Sequence, residues 1–181
     1  MRLLNDNAHY GIVTKSLHWL IAISMFGLIG LGWYMVDLSY YDRWYNASLS
    51  LHRSFGVLVF ILGFCMLLWK WISPSPQLDI QIPAWQKHAA KLVQRILLLL
   101  VLAIPLTGFL VSTSAGKPVD VFGWFEVPVL IQLGGAWRER VIDAHYYLSY
   151  AVGGIALGHA LAALKHQFIN RDGTLMRMLW R

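Results

Sequence analysis

The chain has 181 residues, of which 57% are apolar and only 13% charged, with a net charge of +6 and a mean hydropathy of +0.53. A soluble all-α protein needs polar helix faces that this composition does not supply, so an integral membrane protein is expected. The positive balance requires no nucleic acid, because basic residues facing an anionic lipid leaflet account for it.

Four membrane spans are predicted, at about 14–36, 51–72, 91–113 and 142–166. The first contains an uncharged run, 16–36, too long for a signal-peptide core. Trp33, Tyr34 and Met35 stand where a small-residue cleavage site would be, so it reads as a permanent helix. It carries His18 and leads into an aromatic belt of Tyr40, Tyr41, Trp44 and Tyr45. The second span is uncharged only over 54–69. It reaches bilayer length when Arg53 and Lys70 snorkel at its ends, and His52 stands at its start. Its Cys65, alone in the chain, has no disulfide partner and is assigned a packing role. A proline-rich connection, 73–86, leads to the third span. The loop after it, with Lys117-Pro and Phe122-Gly-Trp-Phe, is expected to lay its aromatics at the membrane interface. The fourth span holds His145 and His159, with His166 just beyond. No repeat or low-complexity tract divides the chain, so residues 1–181 read as one membrane domain.

The charges orient these spans. With the N-terminus inside, the inner side carries ten basic residues: Arg2, Lys15, Lys70, Lys87, Lys91, Arg95, Lys165, Arg171, Arg177 and Arg181. The outer side carries five: Arg43, Arg53, Lys117, Arg138 and Arg140. Both termini are therefore expected in the cytoplasm.

Four of the seven histidines lie within apolar segments, where a polar ring is costly and is kept for function. That topology pairs them by depth. His18 and His159 lie near the inner surface, His52 and His145 near the outer one. His145 and His159 are fourteen residues apart, about 21 Å along a helix and within roughly 40° of one face. Paired imidazoles at two depths are what two b haems need, one nitrogen on each side of each iron. Gly27, Gly30, Gly56, Gly63, Gly153, Gly154 and Gly158 are expected to leave room for flat rings. A zinc site would instead gather four ligands at one depth, with cysteine or carboxylate among them.

Several stretches carry a family resemblance: Ser16-Leu-His-Trp-Leu, Leu51-His-Arg-Ser-Phe-Gly, Pro105-Leu-Thr-Gly, Asp143-Ala-His, Gly158-His-Ala, Lys165-His, and the tail from Arg171 to Met178. Over nearly the whole length the chain resembles the bacterial cytochrome b561 family. The resemblance implies an all-α, four-helix inner-membrane bundle with two b haems, His18 and His159 holding the inner and His52 and His145 the outer. It further implies a superoxide oxidase that passes electrons from periplasmic superoxide to ubiquinone, with His166 matching the family's histidine at the quinone pocket. The family usually has a histidine early in the third span. This chain has Gln94 there, with Lys91, a further quinone-pocket candidate, and His88 nearby.

The rim charges suit that chemistry. Arg53, Lys117, Arg138 and Arg140 would concentrate an anionic one-electron donor, and Arg53, beside a ligand, is a candidate haem-propionate partner. A titratable His166 near the inner surface suits a reaction that consumes protons. The alternative function is a membrane-anchored cytochrome b subunit relaying electrons between quinone and a separate dehydrogenase or periplasmic redox protein. Its docking patch would be the aromatic loops at 37–50 and 117–137.

Overall fold

Four long helices follow from the four apolar runs, because a segment in hydrocarbon must satisfy every backbone N–H and C=O internally. The computed structural model describes residues 2–76 and 82–179. The middle of the proline-rich connection, 77–81, and Arg181 lie outside the described residues. The helices are α1 (Ile12–Val36), α2 (Tyr45–Ile72), α3 (Ala84–Thr113) and α4 (Gly135–Lys165), all long and apolar enough to cross a membrane. The last three begin well before the predicted apolar spans. Once a helix is nucleated, adding an interfacial residue costs little, so the helices run on beyond the hydrocarbon.

Neighbours in sequence are neighbours in space. α1 packs on α2, α2 on α3 and α3 on α4, whereas α1 and α4 scarcely touch. The core is built at helical spacing, with Ile21, Met25 and Leu28 from α1, Val59 and Met66 from α2, and Val101 and Ile104 from α3. Close packing rather than water exclusion holds such a bundle together. Gly63 serves it directly: a Cβ there would lie 2.7 Å from Val101 Cγ1, so any other residue would force Val101 to shift. α4 contributes only Val152 to the buried core, although it carries two of the intramembrane histidines. Leu20, Ile23, Phe26, Ile61 and Leu99 face outward, as lipid-contacting side chains do. Cys65 is also exposed, so it packs against lipid rather than inside the bundle.

The α3–α4 connection folds into an antiparallel hairpin, β1 (Val119–Val121) with β2 (Phe125–Val127), where an interfacial loop was expected. Its turn needs left-handed backbone at Phe122 (φ 54°) and Gly123 (φ 72°). Phe122 is held there from outside. Its N–H donates to Ser54 Oγ of α2 at 3.1 Å, and its ring meets Phe55 edge-on at 5.1 Å. Ser54 is almost fully buried and donates to the Asp120 carbonyl at 3.3 Å, so the hairpin is fastened to α2 two residues from His52.

At the opposite end, both chain termini are tied to the same face. The Asn5 backbone N–H donates to Ser73 Oγ at 2.8 Å, and its side-chain oxygen accepts from Thr14 Oγ1 at 2.8 Å. Trp69 Nε1 donates to Thr14 Oγ1 at 2.9 Å. The C-terminal segment returns to α1, where Lys15 Nζ donates to the Leu179 carbonyl at 2.7 Å and Trp19 Nε1 to Met178 at 2.9 Å.

Candidate functional site

The helices bring the four intramembrane histidines together as two pairs. His18 of α1 and His159 of α4 have ring centres 6.5 Å apart. His52 of α2 and His145 of α4 have ring centres 6.2 Å apart. Their α4 members, His145 and His159, are fourteen residues apart, about 21 Å by helical rise. Among the described residues, no three histidine, cysteine or carboxylate side chains gather into a group that could hold a metal ion.

The separations match what one metal held from both sides demands. Two nitrogen–metal bonds of about 2 Å, with roughly 1.1 Å from each nitrogen to its ring centre, put coaxial imidazole centres about 6.2 Å apart. Imidazoles hydrogen-bonded directly to each other would stand closer. A b haem between each pair therefore fits the residues present.

Charge around the His52–His145 pair also fits. His52, Arg53, Gly56, Pro105, Gly108 and His145 line one pocket between the helices. Val119 of the hairpin lines the same cavity. Among the described residues, His52 Nδ1 and Arg53 Nε are buried without a hydrogen-bond partner, which leaves both able to meet a bound group. His145 Nδ1 is already engaged, 3.1 Å from the Ile104 carbonyl and 3.1 Å from Thr107 Oγ1. Its other nitrogen is thereby the one available for a metal.

The seven glycines expected to leave room divide. A Cβ at Gly27, Gly30, Gly56, Gly154 or Gly158 would meet nothing within 4 Å, and at Gly153 it would make ordinary contact with Ile29 at 3.8 Å. Gly63 is a helix-packing residue instead. Two others face the histidines: a Cβ on Gly108 would lie 2.9 Å from His145 Cε1, and one on Gly32 would lie 3.5 Å from His52 Cε1. Sequence reasoning passed over both, and over Thr107. The only available signal was the Pro105-Leu-Thr-Gly string, which names no target in space.

His166 stands at the end of α4, where the helix widens into a π-turn, His166–Asn170. Arg171 ends that turn in left-handed conformation (φ 55°, ψ 33°) and sends the chain back on itself. Asp172 thereby reaches His166, whose Nδ1 shares a hydrogen bond with Asp172 Oδ2. Asp172 also accepts from the Thr174 backbone N–H at 3.0 Å. Burial pushes the Asp172 carboxyl up, but the hydrogen bonds from Thr174 and His166 outweigh it and hold it below the ordinary carboxylate value. Lys91 is exposed on α3 and Gln94 half-buried there, and neither is bonded to His166 among the described residues.

The basic residues expected at the outer rim are not equivalent. Arg138 is paired with Glu139 at 3.0 Å and donates to Ser114 Oγ at 3.1 Å. Arg140 lies over the Trp137 ring at 5.1 Å, and Lys117 is exposed without an ion pair among the described residues. Among the described residues, Lys117 and Arg140 are exposed positive groups of this rim with no ion pair.

A family model for prokaryotic cytochrome b561 matches residues 9–181. A protein named cytochrome b561 homolog 2, from Escherichia coli (strain K12), is 40% identical over 179 residues, which cover 99% of this chain and 95% of that one. Cytochrome b561 homolog 1 of the same organism is 30% identical over 91% of this chain and 93% of its own. A probable superoxide oxidase CybB of Yersinia pestis is 26% identical over 94% of this chain and 95% of its own.

Proposed function

The chain belongs to the prokaryotic cytochrome b561 family, and on that footing we propose that it carries electrons from superoxide at the outer membrane face to ubiquinone through two b haems. The family and the four-helix membrane bundle support transmembrane electron transfer by an oxidoreductase-like protein. The observation that carries the finer reading is the pairing of imidazoles at two depths, 6.5 Å and 6.2 Å between ring centres.

When bound, b haems would supply one-electron redox centres at the two depths. His18 and His159 would hold the inner one, His52 and His145 the outer. Arg53, with its buried unpartnered Nε, would bind a haem carboxylate by a charge-assisted hydrogen bond. Lys117 and Arg140 would raise the local concentration of an anionic donor. At the inner end, Asp172 would keep the proton of His166 on Nδ1, leaving Nε2 to exchange a proton with the quinone. Lys91, exposed on α3, would lie at the rim of that pocket.

The test is direct. Purified protein should show two b haems that superoxide reduces and added ubiquinone reoxidises. Replacing Lys117 and Arg140 with Gln should slow reduction severalfold at low salt, and the difference should shrink as ionic strength rises. Protein without haem would end the proposal. Haems that respond only when a separate dehydrogenase or periplasmic partner is added would make the chain a relay subunit instead.

The termini give a second check. Lys15 and Trp19 hold the C-terminal segment at the N-terminal end of α1, so both ends share one face. Ten of fifteen basic residues belong to that side. A reporter fused after Arg181 should therefore be cytoplasmic in the inner membrane. A periplasmic reporter would place the proposed quinone end outside and reverse the mechanism.

A further inference from the structure

The Pro105-Leu-Thr-Gly segment in the last third of α3 supplies no proposed ligand, yet its chemistry converges on one ring. Pro105 has no N–H, so the helix loses its usual donor to the Val101 carbonyl. Two residues on, Thr107 Oγ1 donates back to the Ile104 carbonyl at 2.8 Å. Both oxygens, the Ile104 carbonyl and Thr107 Oγ1, lie 3.1 Å from His145 Nδ1. Gly108 closes the group, since a Cβ there would stand 2.9 Å from His145 Cε1 and 3.3 Å from Nδ1. Back-bonding threonines and small residues are common in membrane helices taken singly. Their meeting on one imidazole nitrogen is not explained by helix packing.

The four histidines differ in this respect. Among the described residues, His145 alone has a hydrogen-bonded ring nitrogen, while His52 Nδ1 opposite it is buried without a partner. We infer that Thr107, Gly108 and the Ile104 carbonyl form a socket on α3 that orients His145 and makes it the more strongly electron-donating ligand of the outer pair. The inference rests on the ligation reading above. A ring N–H donating to oxygen acceptors fixes the tautomer and raises the basicity of the other nitrogen. A more basic ligand favours the oxidised metal and lowers its reduction potential. Thr107 and Gly108 are thus positioning residues, acting through His145. Gly108 supplies the clearance, and Thr107 supplies an acceptor while anchoring the carbonyl that supplies the other.

The experiment uses full-length, haem-loaded protein, with the inner haem as internal control. Thr107→Val keeps the side-chain shape and removes the hydroxyl. It should retain both haems, raise the midpoint potential of the outer haem, alter that haem's low-spin resonance signal and leave the inner haem unchanged. Thr107→Ser should restore the wild-type values. Gly108→Ala should lower outer-haem occupancy and spare the inner haem. The proposal is overturned if Thr107→Val leaves the outer potential and signal unchanged, lowers that potential, or shifts both haems alike. It is also overturned if Gly108→Ala binds both haems as wild type does. Failure of the ligation reading looks different: it shows in the wild-type haem content, or in His145→Ala keeping two haems, before any α3 variant is made.

Discussion

His52→Ala and His145→Ala are each expected to halve the haem content, removing the outer haem and leaving the inner one. His18→Ala and His159→Ala should do the reverse. The motive is spatial: ring centres pair at 6.2 Å for His52 with His145 and at 6.5 Å for His18 with His159. Losing one histidine of a pair that would hold a haem would leave a single weak tether, so occupancy rather than spectral fine structure should change first. A double variant within one pair should lose no more haem than either single variant, because the two residues act as a unit. A double variant across pairs, such as His52→Ala with His159→Ala, should lose both. Haem counted per polypeptide, together with reduced-minus-oxidised spectra, decides the matter. If His52→Ala and His159→Ala removed the same haem, the pairing would be wrong.

His166→Ala is expected to slow quinone reduction by about a hundredfold, the usual scale for losing a positioned proton donor. Both haem spectra and superoxide-driven reduction should stay close to wild type. The reason lies in where α4 ends. His166 is seven residues beyond His159, about 10 Å along the helix axis, so it would meet a quinone without approaching a haem held by His159. Asp172→Asn should produce a smaller loss in the same step, since the carboxylate only fixes which nitrogen of His166 carries the proton. The pH dependence has a definite sign. The carboxyl of Asp172 is held below its ordinary value, so its contribution to the turn is complete above the unfolded carboxylate range, near pH 4. That contribution is lost as pH falls through the lower folded value. The quinone step should therefore not lose the Asp172 contact anywhere near neutrality. Stopped-flow records of the two half-reactions separate these effects. Unchanged quinone reduction in His166→Ala would remove that residue from the pocket.

Much of this molecule was legible in the chain itself. Spans and the candidate ligands are one-dimensional features. A run of about twenty uncharged apolar residues has few options in a bilayer, and imidazoles inside such runs stand out. Depth followed as well, because helical rise converts residue number into distance, so the expected pairing of His18 with His159 and His52 with His145 needed no coordinates. What the chain could not disclose depends on rotation and on contacts between distant segments. Gly63, Gly32 and Gly108 are alike as letters. Only the packed helices show that the first seats α2 on α3, while the other two face His52 and His145. The hairpin beside the His52–His145 pocket was read as loop, because left-handed backbone at Phe122 is unfavourable until Ser54 and Phe55 hold it. The partnership of His166 with Asp172 likewise depends on a π-turn and a left-handed Arg171. Local sequence determined which segments enter the membrane and at what depth each histidine lies, because hydrophobic length and helical rise are properties of a single helix. Tertiary structure alone decided which small and polar residues face those histidines, because that depends on how each helix is turned about its axis against its neighbours.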